Sequence, residues 1–203
     1  MKITRAQAQA NRQHVVETAS RLFRERGYDG VGVADLMAAA GFTHGGFYKQ
    51  FRSKSDLMAE AAACGIAQTV ALSKDADLAA FVESYLSREH RDGRATGCTM
   101  AALGADAARQ PPAVRATFAA GIEGLLTALV PESAASDPAQ ARARILDRMA
   151  HLVGAIVLSR SCPDDSPLAD EILAACRESL LASISPPAAA NDTAPADRHD
   201  AAP

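Results

Sequence analysis

The sequence has few cysteines and no pattern that would pair them. The four, Cys64, Cys98, Cys162 and Cys176, are widely spaced and form no C-x-x-C motif. This usage indicates reduced thiols rather than a disulfide framework or a zinc site. No apolar run approaches the ~20 residues of a membrane span, and the polar N-terminus lacks the apolar region of a secretory signal. We therefore expect a cytoplasmic protein that has no membrane segment.

The short motifs of common catalytic sites are also absent. The sequence contains no G-x-S-x-G, P-loop, H-E-x-x-H or dinucleotide-binding glycine motif. One enzyme hypothesis remains, a thiol and imidazole pair of Cys98 and His151, but nothing brings the two together or supplies an orienting third group. His151 has no second ligand at helical spacing, which disfavours a metal site. We expect no enzyme activity, no metal and no cofactor.

Signals for β-strands are missing, and signals for helices are abundant. Alternating valine-rich runs and hairpin dipeptides do not occur, whereas alanine, leucine, arginine and glutamate, which favour helices, are frequent. At 203 residues the chain is long enough for one sizeable domain, or for a small domain joined to a larger one. The predicted fold class is all-α.

The net charge of −3 hides an asymmetry along the chain. Residues 1–60 carry nine Lys/Arg against six Asp/Glu, and residues 61–203 carry twelve against eighteen. A basic N-terminal third on an acidic body indicates a polyanionic partner that binds at one end only.

The stretch from Val33 to Phe51 predicts a helix-turn-helix. Gly41 breaks the apolar periodicity of a first short helix, because glycine takes the left-handed conformation that ends helices. The Thr43 hydroxyl is expected to cap the second helix. Phe47 and Phe51 lie four residues apart and face inward, which leaves a polar, aromatic and basic outer face.

Helices are predicted on both sides of this stretch. The first runs from about Arg5 to Arg26 and ends at Gly27, and a face of it is marked by Val15, Ala19, Leu22, Phe23 and Arg26. The S-x-x-D spacing of Ser53 and Asp56 predicts a capped helix that lasts to about Leu72. Further helices are predicted at about 77–90, 97–109, 112–129, 139–160 and 168–184. A loop is expected at 91–94, a linker at 131–138 and a disordered, Ala/Pro/Asp-rich tail at 186–203.

Four motifs between about residues 10 and 58 resemble one known family. They are R-E-R-G-Y-D-G, V-x-D-L-M-x-x-A-G-F-T, G-G-F-Y-K-Q-F and S-K-S-D-L. Together they resemble the N-terminal DNA-binding domain of the TetR family of transcriptional regulators. The departures are Gly32 in place of a Ser/Thr cap, Gly46 in the recognition helix and Arg52 in place of a common proline. The resemblance implies about nine helices: a DNA-binding head at 1–55 and a ligand-binding and dimerisation body at 56–185, before the tail at 186–203.

The resemblance also implies a recognition helix that enters the major groove of an operator. The residues expected to contact double-stranded DNA are Thr43, His44, Gly45, Gly46, Tyr48, Lys49 and Lys54. His44 and Lys49 are expected to reach base edges, while the hydroxyl groups and Lys54 hold phosphates. The two glycines would let the helix backbone approach the DNA closely.

The resemblance further implies that the last two helices pair with those of a second copy. The residues expected at this homodimer interface are Met149, Leu152, Val153, Ile156, Ile172, Leu173, Cys176 and Leu180. A two-fold dimer would read a palindrome, which extends the few base pairs that one small domain covers. The alternative is that both helices are buried within their own chain.

The body is expected to enclose an apolar cavity for a small-molecule effector. The candidate lining residues are Cys64, Phe81, Tyr85, Cys98, Met100, Leu103, Phe118, Ile122 and His151. Cys98 opens a predicted helix, where a thiol becomes more nucleophilic, and this G-C opening resembles a TetR subgroup that includes sensors of electrophiles and unsaturated acids. The alternative is a small buried apolar cysteine.

These features predict a homodimeric repressor that a ligand releases from a palindromic operator. Two alternatives stay open beside it: a thiol-based electrophile sensor that acts through Cys98, and a DNA-binding protein without a small-molecule switch.

Overall fold

The structure, a computed structural model, describes residues 4–73, 77–129 and 137–184. These residues form nine α-helices, one 3₁₀ helix and no strand, which confirms the all-α prediction. The α-helices are α1 (Arg5–Arg26), α2 (Val33–Ala39), α3 (Lys54–Ser73), α4 (Leu78–Tyr85), α5 (Arg88–Asp92), α6 (Thr99–Ala107), α7 (Pro112–Leu129), α8 (Pro138–Arg160) and α9 (Pro167–Ile184). The 3₁₀ segment, His44–Lys49, lies between α2 and α3. Within the described ranges, no helix combines the length and the apolar character that crossing a membrane requires.

Helix α1 has the predicted bounds and presents one face to the core. It ends at Gly27, whose φ is +74°. Its largest buried apolar residues are Val15, Val16 and Phe23. Arg26, which the sequence pattern placed on the same face, is exposed, and Arg24 is buried instead. Arg24 is accepted in the core because backbone and hydroxyl oxygens receive hydrogen bonds from its guanidinium group.

A Schellman turn built on Gly41 ends α2. Gly41 has a φ of +78°, and its N–H donates to the Ala38 carbonyl. The Phe42 N–H donates to the Met37 carbonyl at 2.8 Å, which completes the motif. The predicted break at Gly41 is therefore confirmed.

The residues after this turn depart from the prediction in two ways. The Thr43 hydroxyl makes no capping hydrogen bond, and the Thr43 carbonyl instead accepts the Gly46 N–H at 2.9 Å. The next six residues wind as a 3₁₀ helix rather than an α-helix. The adjacent Gly45 and Gly46 contribute to this, because glycine has a low α-helical propensity.

Helix α3 joins the N-terminal helices to the rest of the molecule. The Ser53 hydroxyl accepts the Asp56 N–H at 3.1 Å, as the S-x-x-D spacing predicted. The helix then packs against α1 on one side and against α7 on another. A Cβ added to Gly121 of α7 would lie 2.7 Å from Ile66 of α3, so only glycine permits so close an approach of these helices.

The predicted single helix from Asp77 to His90 is wrong. The chain forms two helices, α4 and α5, which are separated at Leu86 and Ser87. The Ser87 side chain accepts the His90 N–H at 3.1 Å and so caps a new helix. A serine that bonds the backbone in this way competes with continuation of the preceding helix.

The predicted loop at 91–94 is also wrong in its first half, because Arg91 lies in α5 and is only 1% exposed. Its Nε donates to the Ser159 hydroxyl at 3.0 Å, and its Nη2 donates to the Ser159 and Cys162 carbonyls at 3.1 and 3.2 Å. Its Nη1 pairs with the Asp164 carboxylate at 3.0 Å. These bonds fasten α5 to the end of α8.

The two C-terminal helices agree with the prediction. They begin at Pro138 and Pro167, one residue before the expected starts, and proline is well tolerated in a first turn. The helices pack against each other, and the Ser159 hydroxyl donates to the Ala169 carbonyl at 2.8 Å. The tail predicted at 186–203 and most of the linker predicted at 131–138 lie outside the described residues.

The turn at Gly41 gives a stability prediction. Gly41→Ala is expected to lower the free energy of unfolding by about 1–2 kcal/mol, because a side chain strains the left-handed backbone. Gly45→Ala is the matched control, since a Cβ there meets nothing within 4 Å and alanine favours helix. Urea unfolding of both variants measures the difference, and equal stability would contradict the proposed turn.

Candidate nucleic-acid interface and ligand cavity

The 3₁₀ segment has one buried side and one exposed side. Phe47 is fully buried, and its ring centroid lies 5.5 Å from that of Phe51. Tyr48 is 66% exposed, and its ring stands nearly perpendicular to that of His44 at 5.9 Å. His44 and Lys49 are exposed as well. An imidazole, a phenol and an ammonium group thus project outward from a segment that two buried aromatic rings hold in place.

The two glycines of this segment differ in orientation. Thr43 and Gly45 are exposed, and a Cβ on Gly45 would meet no atom within 4 Å. A Cβ on Gly46 would instead lie 3.5 Å from Met37 in α2. The orientation of Gly45 agrees with a close approach of DNA to the backbone, whereas the missing side chain of Gly46 faces the protein.

Lys54, the seventh predicted DNA contact, is half-buried at the start of α3. Its Nζ donates to the Tyr28 carbonyl and lies 6.0 Å from the centroid of the Phe23 ring. A lysine ammonium has three donors, so two of them remain for other acceptors.

The sequence pattern missed Arg12, which holds the end of the 3₁₀ segment. Arg12 on α1 makes a two-pronged ion pair with Glu60 on α3, and this hydrogen bonding raises the pKa of Arg12. Its Nε donates to the Gln50 carbonyl at 3.4 Å, and its guanidinium carbon lies 4.6 Å from the centroid of the Phe51 ring. The partners are 38 to 48 residues away in sequence, so no local signal could reveal them.

A cavity of about 360 Å³ lies among α3, α4, α6, α7 and α8. The apolar residues on its wall are Leu78, Phe81, Met100, Leu125, Ala128, Leu129, Ile145, Met149, Leu152 and Val153. The polar ones are Thr69, Tyr85, Cys98 and Arg148. Its volume lies at the small end of the range for ligand sites.

Four of the nine predicted lining residues are on this wall: Phe81, Tyr85, Cys98 and Met100. The others, Cys64, Leu103, Phe118, Ile122 and His151, are not. Leu103 and Phe118 are buried in the hydrophobic core instead. Helix α7 contributes its last turns, from Leu125 onward, rather than the middle that the sequence pattern favoured. Arg148 was missed because an arginine on a surface helix gives no sequence signal for a cavity.

Cys98 lies at the N-terminus of α6 and contacts His90, which was not among the residues predicted for the cavity. Cys98 is the N-cap of α6 and is 7% exposed. Its backbone N–H donates to Nε2 of His90 at 3.0 Å, while Nδ1 of His90 lies 2.7 Å from the Tyr85 carbonyl. This geometry requires a neutral imidazole with its proton on Nδ1, and burial lowers the pKa of His90. No hydrogen bond joins Cys98 to His151 in the described part of the chain, so the thiol and imidazole pair considered above is not formed.

Helix α6 runs from the cavity to the N-terminal helices. Met100 near its start lines the cavity, and Asp106 near its end accepts the Tyr28 N–H at 3.4 Å. Met100 and Asp106 are six residues apart on α6, which separates the two regions by about 9 Å along the helix. At the start of α6, Arg24 of α1 donates to the Thr99 hydroxyl at 3.3 Å and to the Ala95 carbonyl at 2.9 Å. Both ends of α6 are therefore tied to α1 or to the turn that follows it.

Half of the residues predicted at the dimer interface are buried inside the single chain. Leu152, Ile156, Leu173 and Leu180 are at most 8% exposed, and Met149, Leu152 and Val153 line the cavity. Ile172 and Cys176 are half-buried. The large apolar residues of α8 and α9 that are exposed in the described ranges are Leu146, Val157, Leu158 and Leu168, with exposures of 39% to 59%. Many of the apolar residues of these two helices are therefore buried in the core of their own chain.

Comparison with known proteins identifies the N-terminal part. The family described as bacterial regulatory proteins, tetR family, matches residues 15–61. That range holds most of α1, all of α2 and the 3₁₀ segment, and the start of α3. The chain carries a tetR-family domain.

Two curated relatives match a short part of the chain. The HTH-type transcriptional regulator AcrR of Shigella flexneri is 40% identical over 57 residues, which are 28% of this chain and 26% of AcrR. The HTH-type transcriptional repressor DhaR of Mycobacterium sp. (strain GP1) is 51% identical over 43 residues, which are 21% of this chain and 22% of DhaR. The chain thus matches these relatives over about a quarter of their length.

Solved structures extend the likeness to the remaining helices. Reduced NemR of E. coli superposes with a TM-score of 0.68 at 19% identity, covering 84% of this chain and 95% of NemR. A TetR-family regulator from Agrobacterium tumefaciens gives a TM-score of 0.64 at 22% identity, covering 88% and 99%. At these identities the likeness concerns the fold, and it includes the helices that follow the tetR-family domain.

Proposed function

We propose that the protein is a homodimeric DNA-binding repressor whose release from a palindromic operator is controlled by a small molecule in the cavity. The observation that carries the proposal is the two-sided 3₁₀ segment inside a tetR-family domain. Its exposed face presents Tyr48, His44 and Lys49 for contact with DNA. We infer a division near residue 55 between the DNA-binding head and the body, and action in the bacterial cytoplasm.

The proposed DNA contacts follow from the exposed groups. His44 and Lys49 are placed to reach base edges in the major groove, while Thr43 and Tyr48 bind phosphates through their hydroxyls. Gly45 leaves the backbone open on this face. Lys54 adds a phosphate contact through the donors that Tyr28 does not occupy, at the amide end of α3.

The proposed dimer forms through the exposed faces of α8 and α9. Leu146 and Val157 on α8 and Leu168 on α9 are large apolar side chains at the surface. Ile172 and Ala175 continue the α9 row at helical spacing from Leu168. Exposed apolar side chains along two packed helices are characteristic of a surface that another chain covers.

Control by a ligand is supported by the position of α6. A molecule in the cavity touches the start of this helix at Cys98 and Met100, and the other end touches the turn after α1 at Tyr28. A shift of α6 would therefore move the head relative to the body. The ligand changes DNA affinity only by as much as it prefers the conformation that does not bind DNA. The cavity favours this mechanism over a regulator that has no small-molecule switch.

A second candidate is an electrophile sensor that acts through Cys98. Cys98 is the one cysteine on the cavity wall within the described residues, and it occupies the N-cap position of α6 without a capping hydrogen bond from its side chain. Thiolates are favoured at helix N-termini, and they add to reactive aldehydes and quinones. An adduct would occupy the same cavity and push on the same helix.

The DNA contacts are tested by a gel-shift assay at fixed salt. Tyr48→Ala and Lys49→Ala are each expected to weaken operator binding by about tenfold, because a lost contact to DNA costs about 1–3 kcal/mol. Arg115→Ala is the control, since Arg115 is exposed on α7, away from the 3₁₀ segment. Unchanged affinity in both test variants would exclude this face as the DNA-binding surface.

The dimer is tested by measuring mass in solution. The wild-type protein is expected to have twice the mass of one chain by light scattering. Val157→Arg is expected to shift it toward a monomer, because a charge cannot be buried between apolar faces without a partner. Leu72→Arg, which alters a 76% exposed residue of α3, should leave the mass unchanged. A monomeric wild-type protein would refute the proposal.

The sensor candidate is tested by intact-protein and peptide mass spectrometry after treatment with a quinone. An adduct is expected on Cys98 before Cys64, because burial raises the pKa of the Cys64 thiol and so disfavours its reactive thiolate, and Cys98→Ser should abolish release of DNA by the quinone. A fully released DNA complex in Cys98→Ser, or a wild-type protein without an adduct on Cys98, would eliminate this candidate.

A further inference from the structure

We propose that the cavity binds a small amphipathic acid, whose carboxylate pairs with Arg148 and whose apolar body fills the space among α4, α7 and α8. The inference rests on the proposed function only in taking this acid to be the effector that controls DNA binding. Binding itself is independent of DNA.

Among the residues that the structure describes, Arg148 is the charged group on the cavity wall, and no acidic side chain pairs with it. It lies half-buried on α8, and it has neither a hydrogen bond nor an ion pair in the described part of the chain. Other arginines of the same helix do have partners. Arg142 pairs with Glu123, and Arg160 donates to the carbonyls of His90 and Arg91. The guanidinium group of Arg148 therefore lies beside an apolar space without a protein anion, and an anionic group of a ligand can pair with it.

The remaining polar groups on the cavity wall also favour a ligand that accepts hydrogen bonds. Tyr85 is 8% exposed, and its hydroxyl meets no nitrogen or oxygen partner in the described residues, although the Cys98 thiol lies beside it. Burial raises the pKa of Tyr85 well above its usual range, so the phenol remains a neutral donor. The Thr69 hydroxyl already donates to the Gly65 carbonyl. The polar groups left over are the Arg148 guanidinium, the Tyr85 phenol and the Cys98 thiol, and all three can donate a hydrogen bond.

The wall disfavours cationic ligands. The lining residues within the described ranges include neither aspartate nor glutamate. A cationic ligand would find no acidic side chain to pair with among these residues. It would also lie close to the positive charge of Arg148, and this repulsion costs free energy in an apolar site. A neutral alcohol would fill the space but would leave the guanidinium unpaired. An acid alone meets both the shape and the charge of the site.

The volume bounds the size of this acid. A cavity of about 360 Å³ corresponds to roughly a dozen water volumes, at about 30 Å³ for each. A medium-chain acid such as octanoate is of this size. Octanoate, 1-octanol and octyltrimethylammonium share the same apolar chain and differ in the charge of the head group, so they separate the apolar contribution from the contribution of Arg148.

The test is titration calorimetry of the full chain with these three molecules, below their aggregation concentrations and without DNA. Octanoate is expected to bind at least about tenfold more tightly than the alcohol or the ammonium compound, as one charge-assisted hydrogen bond would give. Arg148→Met should weaken octanoate by about tenfold and leave 1-octanol unchanged. Tyr85→Phe should weaken octanoate by a smaller factor.

Arg144→Met is the matched control, because Arg144 lies one turn earlier on α8, is exposed and bonds Gln140 rather than the cavity. It should bind octanoate like the wild type. Unchanged binding of 1-octanol shows that Arg148→Met keeps the cavity, and Arg148→Gln is a second variant if the first does not fold. Octanoate that binds no better than 1-octanol, or equally well to Arg148→Met, overturns the proposal. Octanoate that binds as expected without releasing DNA upholds it and contradicts the proposed control of DNA binding instead.

Discussion

The burial of Phe47 and Phe51 is the interaction on which the outer face of the 3₁₀ segment depends. Six residues of helix, two of them glycine, cannot hold a conformation in water, because so few backbone bonds do not offset the lost chain entropy. The burial of the two rings in the core supplies the stabilising free energy that the backbone hydrogen bonds do not. Arg12 holds the end of the segment through its hydrogen bond to the Gln50 carbonyl. His44, Tyr48 and Lys49 then project from a fixed base.

Two helices carry the connection between this base and the cavity. Helix α3 belongs to both parts of the molecule, since it packs on α1 and on α7, and Gly121 allows the close crossing with α7. Helix α6 touches the cavity at one end and Tyr28 at the other. The buried guanidinium of Arg24, whose pKa burial lowers, donates hydrogen bonds to oxygens next to the start of α6. The cavity is therefore bordered by elements that are fastened to the N-terminal helices.

The sequence predicted local features well because their causes are local. The helix ends at Gly27 and Gly41 and the cap at Ser53 depend on residues within a few positions, and the structure confirms them. The α4–α5 break was missed, although Ser87 is a good cap, because apolar periodicity continued across it. Arg91, Arg12 and Arg148 were missed because their surroundings come from distant parts of the chain. Apolar periodicity also cannot separate a chain's own core from a partner's surface, which is why Leu152 and Ile156 were assigned to the dimer.

The central claim is that the exposed face of the 3₁₀ segment reads DNA as one half of a two-fold assembly. Selection of bound duplexes from a random pool by the wild-type protein tests it most directly, because it presumes no operator. The account predicts enrichment of a sequence with two inverted half-sites, at a spacing set by the separation of the two segments in the dimer. A pool that remains random after repeated selection, or that yields a single unsymmetrical site, would contradict it.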